Sequence, residues 1–481
     1  MLSNHHHGGP PGRLLSQRRA LVISLAAALS APVHAQDVGN DAIIARLAAL
    51  EQRLGISSGE QGEVVNLDQR LRIIERKLEL QDEASQAKAA KEPVTTLDAG
   101  KGLAVKAPGA LEVKLRGLVQ ADLRHFSDDA GNDGFLFRRV RPTLEGSWGP
   151  LVGFRITPEF AGDSATLVDA YVDLKFDPAA TVRIGKVKGP IGLERLQGGG
   201  ALAFVERGLP TELAPNRDIG AQLQGEVADK TLSYTLGAYN GAVDGRDAAT
   251  TNPDDTFEYA GRLFWEPFKN SETARGTLGL GVAASVGDTY GAGTSFLPRY
   301  RTPGQQTFFS YGGNVAADGA RRRHTAQGYY YAGPVGLLGE YIVSSQAVAV
   351  TSGTGAGTRA TLDNSAWQLS VGYVLTGEDA SFRGVATPSS PFTPGGDGWG
   401  ALELVARYGE LDVDDAAFPL FANPASAASR ISSWGIGLNW YLTRNLKLVA
   451  NYTRAGFDGG AAAGGDREDE RAVFTRAQLS F

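Results

Sequence analysis

The sequence predicts an all-β protein, a 16-stranded antiparallel transmembrane β-barrel preceded by an α-helical coiled-coil segment. Three observations carry this expectation. From Leu111 onward apolar and polar residues alternate with a period of two, in segments of about 10 to 14 residues, the length of a tilted membrane strand. The connectors between these segments alternate between short turns and long loops. The composition, with Gly 62, Tyr 15, Phe 20 and Trp 6 against Cys 0 and Met 1, suits many strands joined by glycine turns.

Residues 1–35 read as an export leader. Arg13, Arg18 and Arg19 precede the apolar run "ALVISLAAALSA", and "VHA" before Gln36 offers small residues for cleavage. The pair Arg18-Arg19 also allows twin-arginine export. The run is too short to span a bilayer as a helix, and no later stretch reaches 18 consecutive apolar residues. The triplet His5 to His7 lies before the cleavage point, so no metal or other cofactor is expected there.

Residues 36–83 carry two apolar seams with 4-3-4 spacing, Ile43, Leu47, Leu50, Leu54 and Leu67, Leu71, Ile74, Leu78, separated by "GISSGEQGE". The seams fit a short self-associating periplasmic coiled coil, or one amphipathic hairpin packed on itself. Residues 84–110, rich in Ala, Lys, Gly and Pro, read as a linker to a barrel over 111–481.

Sixteen alternating segments follow, near 111–126, 135–148, 151–161, 167–177, 180–187, 218–227, 231–240, 257–267, 275–286, 321–332, 335–347, 363–376, 400–411, 430–442, 445–457 and 470–481. Short connectors such as "WGP", "DPAA", "VADK", "AGP" and "LTRN" alternate with long ones near 188–217, 241–256, 287–320, 348–362, 412–429 and 458–469. Two features break the rhythm. Connector 377–399 is long where a short turn is due, and "QQTFFSY" at 305–311 has strand character but is kept in a loop so that the strand number stays even. The last segment ends on an aromatic, Phe481, and Trp148, Trp265, Trp440, Tyr441 and Tyr452 fall near strand ends, as interfacial girdles require.

The ordered set "LRGLVQADLRHF", "FRRVRPTLEGSW", "FRITPEF", "LVDAYVDL", "RIGKVKGPIGLERLQ", "FVERGLPTELAPNRDIG" and "FTRAQLSF" resembles the phosphate-selective porin O/P family of bacterial outer membranes. The first six fall within 111–220 and the last at the C-terminus; between 240 and 430 architecture alone carries the likeness. The resemblance implies a homotrimer of sixteen-stranded barrels, each with its own pore narrowed by inward-folded loops and lined by arginines and a lysine that guide anions. It also implies an N-terminal coiled coil in some relatives. Outer-membrane localisation follows, with the N-terminal segment in the periplasm.

Strand parity assigns the lumen residues. Lys114, Arg116, Arg124, Arg139, Arg141, Arg155 and Arg183 fall on the inward positions, and so do Asp122, Glu145, Glu159, Asp169 and Asp173. Arg138 falls on the lipid parity near a strand end, where it would reach headgroups or lipopolysaccharide phosphates. Connector 188–217 is the expected constriction loop, with Lys188, Arg195, Arg207 and Arg217; the resemblance places a lysine and arginines at an anion site there, drawn from Lys186, Lys188, Arg195 and Arg207. Parity turns Lys186 outward. Arg321 to Arg323 open a strand at the mouth, either focusing anions or forming a solvated rim or a lipid-headgroup contact. His125 and His324 read as structural.

The expected function is a passive outer-membrane channel for anions, inorganic phosphate or polyphosphate, with no catalytic role. Over 111–217 there are 14 basic and 14 acidic side chains, so anion preference requires their segregation in space. The alternatives are a general porin whose arginines pair across strands, and an envelope-tethering protein acting through its heptads. The net charge of -6 argues against a nucleic-acid partner. The motif H-E-x-x-H and a phosphate-binding loop ending in Lys-Ser or Lys-Thr are both absent from the sequence.

Overall fold

The structure is a computed structural model that describes residues 67–89, 93–98, 102–127, 130–162, 164–271 and 276–481, with isolated positions 45, 48, 49 and 52 before them. It divides into two compact units, Met1–Lys91 and Glu92–Phe481. In the first, helix α1 spans Leu67–Ala89, rich in Leu, Arg, Glu and Lys that favour a helix. Arg76 and Glu79 form an ion pair one turn apart, at 2.9 Å. Ile74 of the second seam is buried, whereas Ile73 and Leu80 are exposed. The first seam and the leader 1–35 lie outside the described residues. What the described residues show is a helix, not a coiled-coil pairing.

Residues 84–110 are not a linker. Helix α1 runs on to Ala89, and strands β1 (Val94–Asp98) and β2 (Gly102–Ala107) form a hairpin. β2 then pairs with β3 (Leu111–Ser127), Val105 opposite Val113. The short alternations "VTTL" and "LAVKA" carry the strands, and the surrounding Ala, Lys and Gly mask them in composition. The hairpin covers the part of β3 that the C-terminal strand leaves unpaired, so no long edge is open there.

From β3 the barrel continues through β4 (Gly134–Trp148), β5 (Val152–Glu159), β6 (Thr166–Asp177), β7 (Ala180–Val187), β8 (Asp218–Val227), β9 (Leu232–Tyr239), β10 (Glu258–Trp265) and β11 (Thr277–Ala292). A loop holds β12 (Arg299–Arg301) and β13 (Thr307–Ser310). The wall resumes with β14 (Val315–Ala332), β15 (Val335–Val350), β16 (Arg359–Val374), β17 (Ala401–Asp412), β18 (Ala428–Tyr441), β19 (Leu446–Gly459) and β20 (Glu470–Ser480). Each wall strand pairs antiparallel with its sequence neighbour, and β20 closes on β3 with Thr475 opposite Leu123. All sixteen expected strands form the closed barrel. The "QQTFFSY" strand, β13, pairs only with β12, in a separate two-stranded sheet inside its loop.

The seam is closed tightly. Phe481 N–H donates to the Gly117 carbonyl at 3.0 Å, and the Phe481 carbonyl accepts from Gly117 N–H at 2.9 Å. A Cβ on Gly117 would lie 2.3 Å from the Phe481 ring, so only glycine fits under the terminal aromatic.

Alternation sorts the wall as expected, with Leu236, Leu263 and Val282 exposed on the outside and Gln222, Thr325 and Asn439 buried on the inside. One position breaks it. Opposite Gln120 and Ala121 the register jumps from Arg139 to Phe137, so Arg138 is an extra residue, a β-bulge in β4. Phe135 and Phe137 face outward before the bulge, Val140 and Leu144 share the outward parity after it, and Arg138 turns inward. The lipid-facing assignment of Arg138 is therefore wrong, because strict parity presumes an unbroken ladder.

The barrel is not hollow. Ile191, Leu209 and Leu213 of loop 188–217 and Tyr300, Phe308 and Phe309 of loop 293–314 pack inside it. They meet Ile342, Leu362, Leu411, Ile431 and Phe457 of β15 to β19 in one apolar cluster. Tyr300 and Phe309 stack at 5.4 Å between ring centres.

Candidate functional site

The loop 188–217 is held in place by its own charges. It contains the short helix α2 (Leu193–Leu196) and a 3-10 turn, Leu209–Glu212. Lys188 Nζ donates to the carbonyls of Arg195 (2.7 Å), Leu196 (3.2 Å) and Gln197 (2.9 Å), which caps the end of α2. Arg207 donates to the Glu194 and Gln197 carbonyls at 3.1 and 2.7 Å. On the far side Glu194 accepts from Gly208 N–H, Gln368 and Arg407, and Glu340 accepts from the Leu193 amide at 2.7 Å. The loop is thereby fastened to the wall β15 to β17.

The long connector 375–400 enters the barrel from the short-turn end. Gln197 Nε2 donates to the Phe382 carbonyl at 2.6 Å, and the Phe382 ring stacks on Tyr329 at 5.3 Å. This accounts for its anomalous length, since the segment spans part of the lumen instead of merely reversing the chain.

Two cavities remain beside the loop, of about 720 Å³ toward the short-turn end and about 130 Å³ toward the long-loop end. The larger is walled by Arg116, Arg141, Arg155, Arg183, Arg217 and Arg262, with Lys188, Arg383, Arg444 and Lys447 from loops and rim. Among its described lining residues the one acidic side chain is Asp169. The smaller is lined by Arg138, Arg139, Arg195, Arg207 and Arg301 against Glu206 and Glu212. Arg141 and Arg217 line both, so the throat between the cavities passes these two guanidiniums.

Many of these arginines are paired, and each keeps donors to spare. Arg141 Nε donates to Glu159 at 2.6 Å, Arg217 Nε to Asp169 at 3.2 Å, and Arg116 Nε reaches Glu145 at 2.8 Å. Arg155 contacts the same Glu145 at 3.5 Å. Arg183 grips Asp173 with two donors, at 2.7 and 2.9 Å, and lies 4.0 Å from the Tyr171 ring centre. A guanidinium has five N–H groups, so a single carboxylate leaves several free to meet a passing anion.

Arg139 is different. It is 2 % exposed and hydrogen-bonds Gln120 Oε1 at 2.5 Å, with no carboxylate partner among the described residues. Its Nε has no hydrogen-bond partner. An uncompensated buried cation is costly, and an anion in the smaller cavity would neutralise it. Arg195 likewise bonds only the Thr211 carbonyl and Asn216.

Two of the expected lumen residues line neither cavity. Lys114 lies in a mixed-charge depression at the rim, paired with Glu112 at 3.0 Å, because β3 extends past the barrel at this point. Arg124 points inward and is spent on Glu206 at 2.8 Å. The same Glu206 takes Arg138 Nε and Nη2 at 2.6 and 3.0 Å. Burial alone would raise the Glu206 carboxyl, but Arg138 and Arg124 hold it well below the usual range. Lys186 lines neither cavity, as parity requires.

The arginine triplet resolves as a buried brace. Arg321 and Arg323 are buried and Arg322 faces outward. Arg323 bridges Asp244 and Glu258 at 2.6 Å each, and Arg321 donates to Glu258 at 3.1 Å, which ties loop 240–257 to the wall. Sequence reading missed Arg262 and Lys447, whose inward parity in "EYAGRLFW" and "LKLVANY" was available. It also missed Arg301, Arg383 and Arg444, which sit in connectors with no period to read.

A closed barrel with an apolar exterior and open, arginine-lined cavities inside it is the architecture of an outer-membrane porin. The chain belongs to the phosphate-selective porin O and P family, whose model matches residues 113–481. It is similar to Porin O of Pseudomonas aeruginosa, 26% identical over 421 residues that cover 79% of this chain and 93% of the relative. An uncharacterized protein of Caulobacter vibrioides is 25% identical over 393 residues, covering 78% and 74%. Among solved structures, the outer membrane channel DcaP of Acinetobacter baumannii aligns with a TM-score of 0.49 at 13% identity, over 78% of this chain and 99% of that one.

Proposed function

We propose that this porin passes anions by diffusion, with inorganic phosphate or polyphosphate as the preferred class. The observation that carries the reading is the segregation of charge. The balanced 14 and 14 of residues 111–217 become a water-filled cavity whose described lining has Asp169 as its one acidic side chain. In the larger cavity Arg141 and Arg183 face the open space, while their carboxylate partners Glu159 and Asp173 are not part of its lining. An entering oxyanion exchanges hydration for guanidinium donors in sequence, passing Arg138, Arg139, Arg207 and Arg301, then Arg141 and Arg217, then Arg155 and Arg183.

Reversal potentials in a KCl gradient across a planar bilayer test this. Chloride permeability above potassium is expected, with the chloride current blocked by added phosphate; a cation-selective channel overturns the reading. A general porin with structural arginines is the second reading, favoured by the carboxylate partners of Arg141, Arg183 and Arg217. Unchanged phosphate block in Arg139→Ala and Arg141→Ala supports it. A homotrimer, lipopolysaccharide contact, a cleaved leader ending before Gln36 and helical self-association of residues 36–83 complete the proposal. N-terminal sequencing and cross-linking of the purified protein test the leader and the trimer.

A further inference from the structure

The smaller cavity holds two carboxylates, and they differ. Glu206 is saturated by Arg138 and Arg124. Glu212 ends the 3-10 turn of loop 188–217, is largely but not fully buried, and accepts the Arg301 backbone N–H at 3.0 Å. It makes no ion pair among the described residues, although cationic side chains surround it in the same cavity. Arg195 is turned to the Thr211 carbonyl and Asn216, Arg217 to Asp169, and Arg207 to loop carbonyls. Asp247, on the neighbouring loop, is engaged by Asn216 at 2.7 Å. Glu212 is thus the negative charge in this cavity that no guanidinium neutralises by direct contact.

We propose that Glu212 regulates the throat: protonated, it leaves the smaller cavity more positive and anion passage stronger; ionised, it weakens both. This inference rests on the anion reading above. Burial lifts the Glu212 carboxyl to about 7 against the opposing pull of Arg195 and Arg301. A raised carboxyl is neutral below that pH and charged above it, so anion preference rises as the medium acidifies through neutrality. Glu206, held well below the ordinary range, stays ionised throughout and contributes no change.

The test uses the full-length channel in planar bilayers with KCl alone, since neither ion titrates. Between about pH 8.5 and about pH 5.5 the chloride-to-potassium permeability ratio should rise on the order of two- to tenfold, the effect of one screened charge beside the path. Glu212→Gln should lose most of that rise, and Glu212→Asp, which keeps a carboxyl, should keep a titration. An anion-selective wild type that does not titrate, or a Glu212→Gln channel that titrates like the wild type, overturns the inference alone. Potassium selectivity at every pH overturns the anion reading and this inference with it.

Discussion

The two sides of the barrel interior use the same alternating strands to opposite ends. Along β3 to β10 the residues facing a cavity of about 720 Å³ are mostly arginines, glutamines and threonines, with Asp169 and Tyr171 among them. Along β14 to β19 the inward residues near the long-loop end are apolar, and two loops fill the space in front of them. Lower on that wall sit Glu340, Gln368, Arg407, Glu403 and Asn439, all buried, with their polar atoms bonded largely to each other and to loop 188–217. In the proposed function one wall conducts because its charges face the open cavity; the other anchors because its charges meet the loop. Loop 188–217 is the partition, and its basic residues serve both sides, with Lys188 and Arg207 spent on its own carbonyls and Arg217 where the two cavities meet.

The largest way to break this division is through the anchoring wall. Phe308, a fully buried residue of loop 293–314, packs on Tyr300 of the same loop and on Phe457 of the wall at 6.4 and 6.3 Å between ring centres. Phe308→Ala should cost about 3–5 kcal/mol, read as a lower unfolding temperature, together with a larger and noisier conductance as the loop loosens. Arg407→Ala leaves Glu194 buried without its guanidinium and should cost about as much, about 3–5 kcal/mol, by the same melting measurement. If either variant melts like the wild type with an unchanged pore, the loop is held by something other than this wall.

On the conducting wall the expected effect is electrostatic and smaller. Arg141→Ala with Arg217→Ala removes the two guanidiniums common to both cavities and strips Glu159 and Asp169 of their partners. The anion-to-cation permeability ratio should fall by about tenfold or more, as expected for unit charges beside a narrow water path, while the melting temperature moves less than for Phe308→Ala. A ratio that does not change places the path elsewhere.

The comparison also shows where the sequence was readable. Period-two alternation gave every wall strand, because a membrane barrel must show apolar groups outside and polar groups inside at each step. It placed Arg116, Arg139, Arg141, Arg155 and Arg183 correctly as inward. It misplaced Arg138 because a bulge adds one residue that no polarity pattern announces. It could not tell Arg183, open to the cavity, from Arg321 and Arg323, sealed under loop 240–257, since both kinds look alike on a strand. Nor could it show that Asp169 is the one acidic side chain among the described lining residues of the larger cavity, because this depends on how loops fold back across strands far apart in sequence.

The smallest expected effect sharpens the boundary of the conducting unit. Residues 36–91 belong to a separate compact unit, whereas β1 and β2 belong to the barrel's sheet. Deleting 36–91, with the leader kept for export, should leave single-channel conductance and selectivity unchanged. Extending the deletion to 36–107 strips β2 from β3 and leaves Leu111 to Leu115 without ladder partners on that side. The loss should be roughly 1–3 kcal/mol, a few net backbone hydrogen bonds, seen as a modest drop in melting temperature with the pore intact. A closed or non-selective channel after the shorter deletion would mean that the helical segment is part of the conducting machinery, and the division of labour would then extend beyond the two walls.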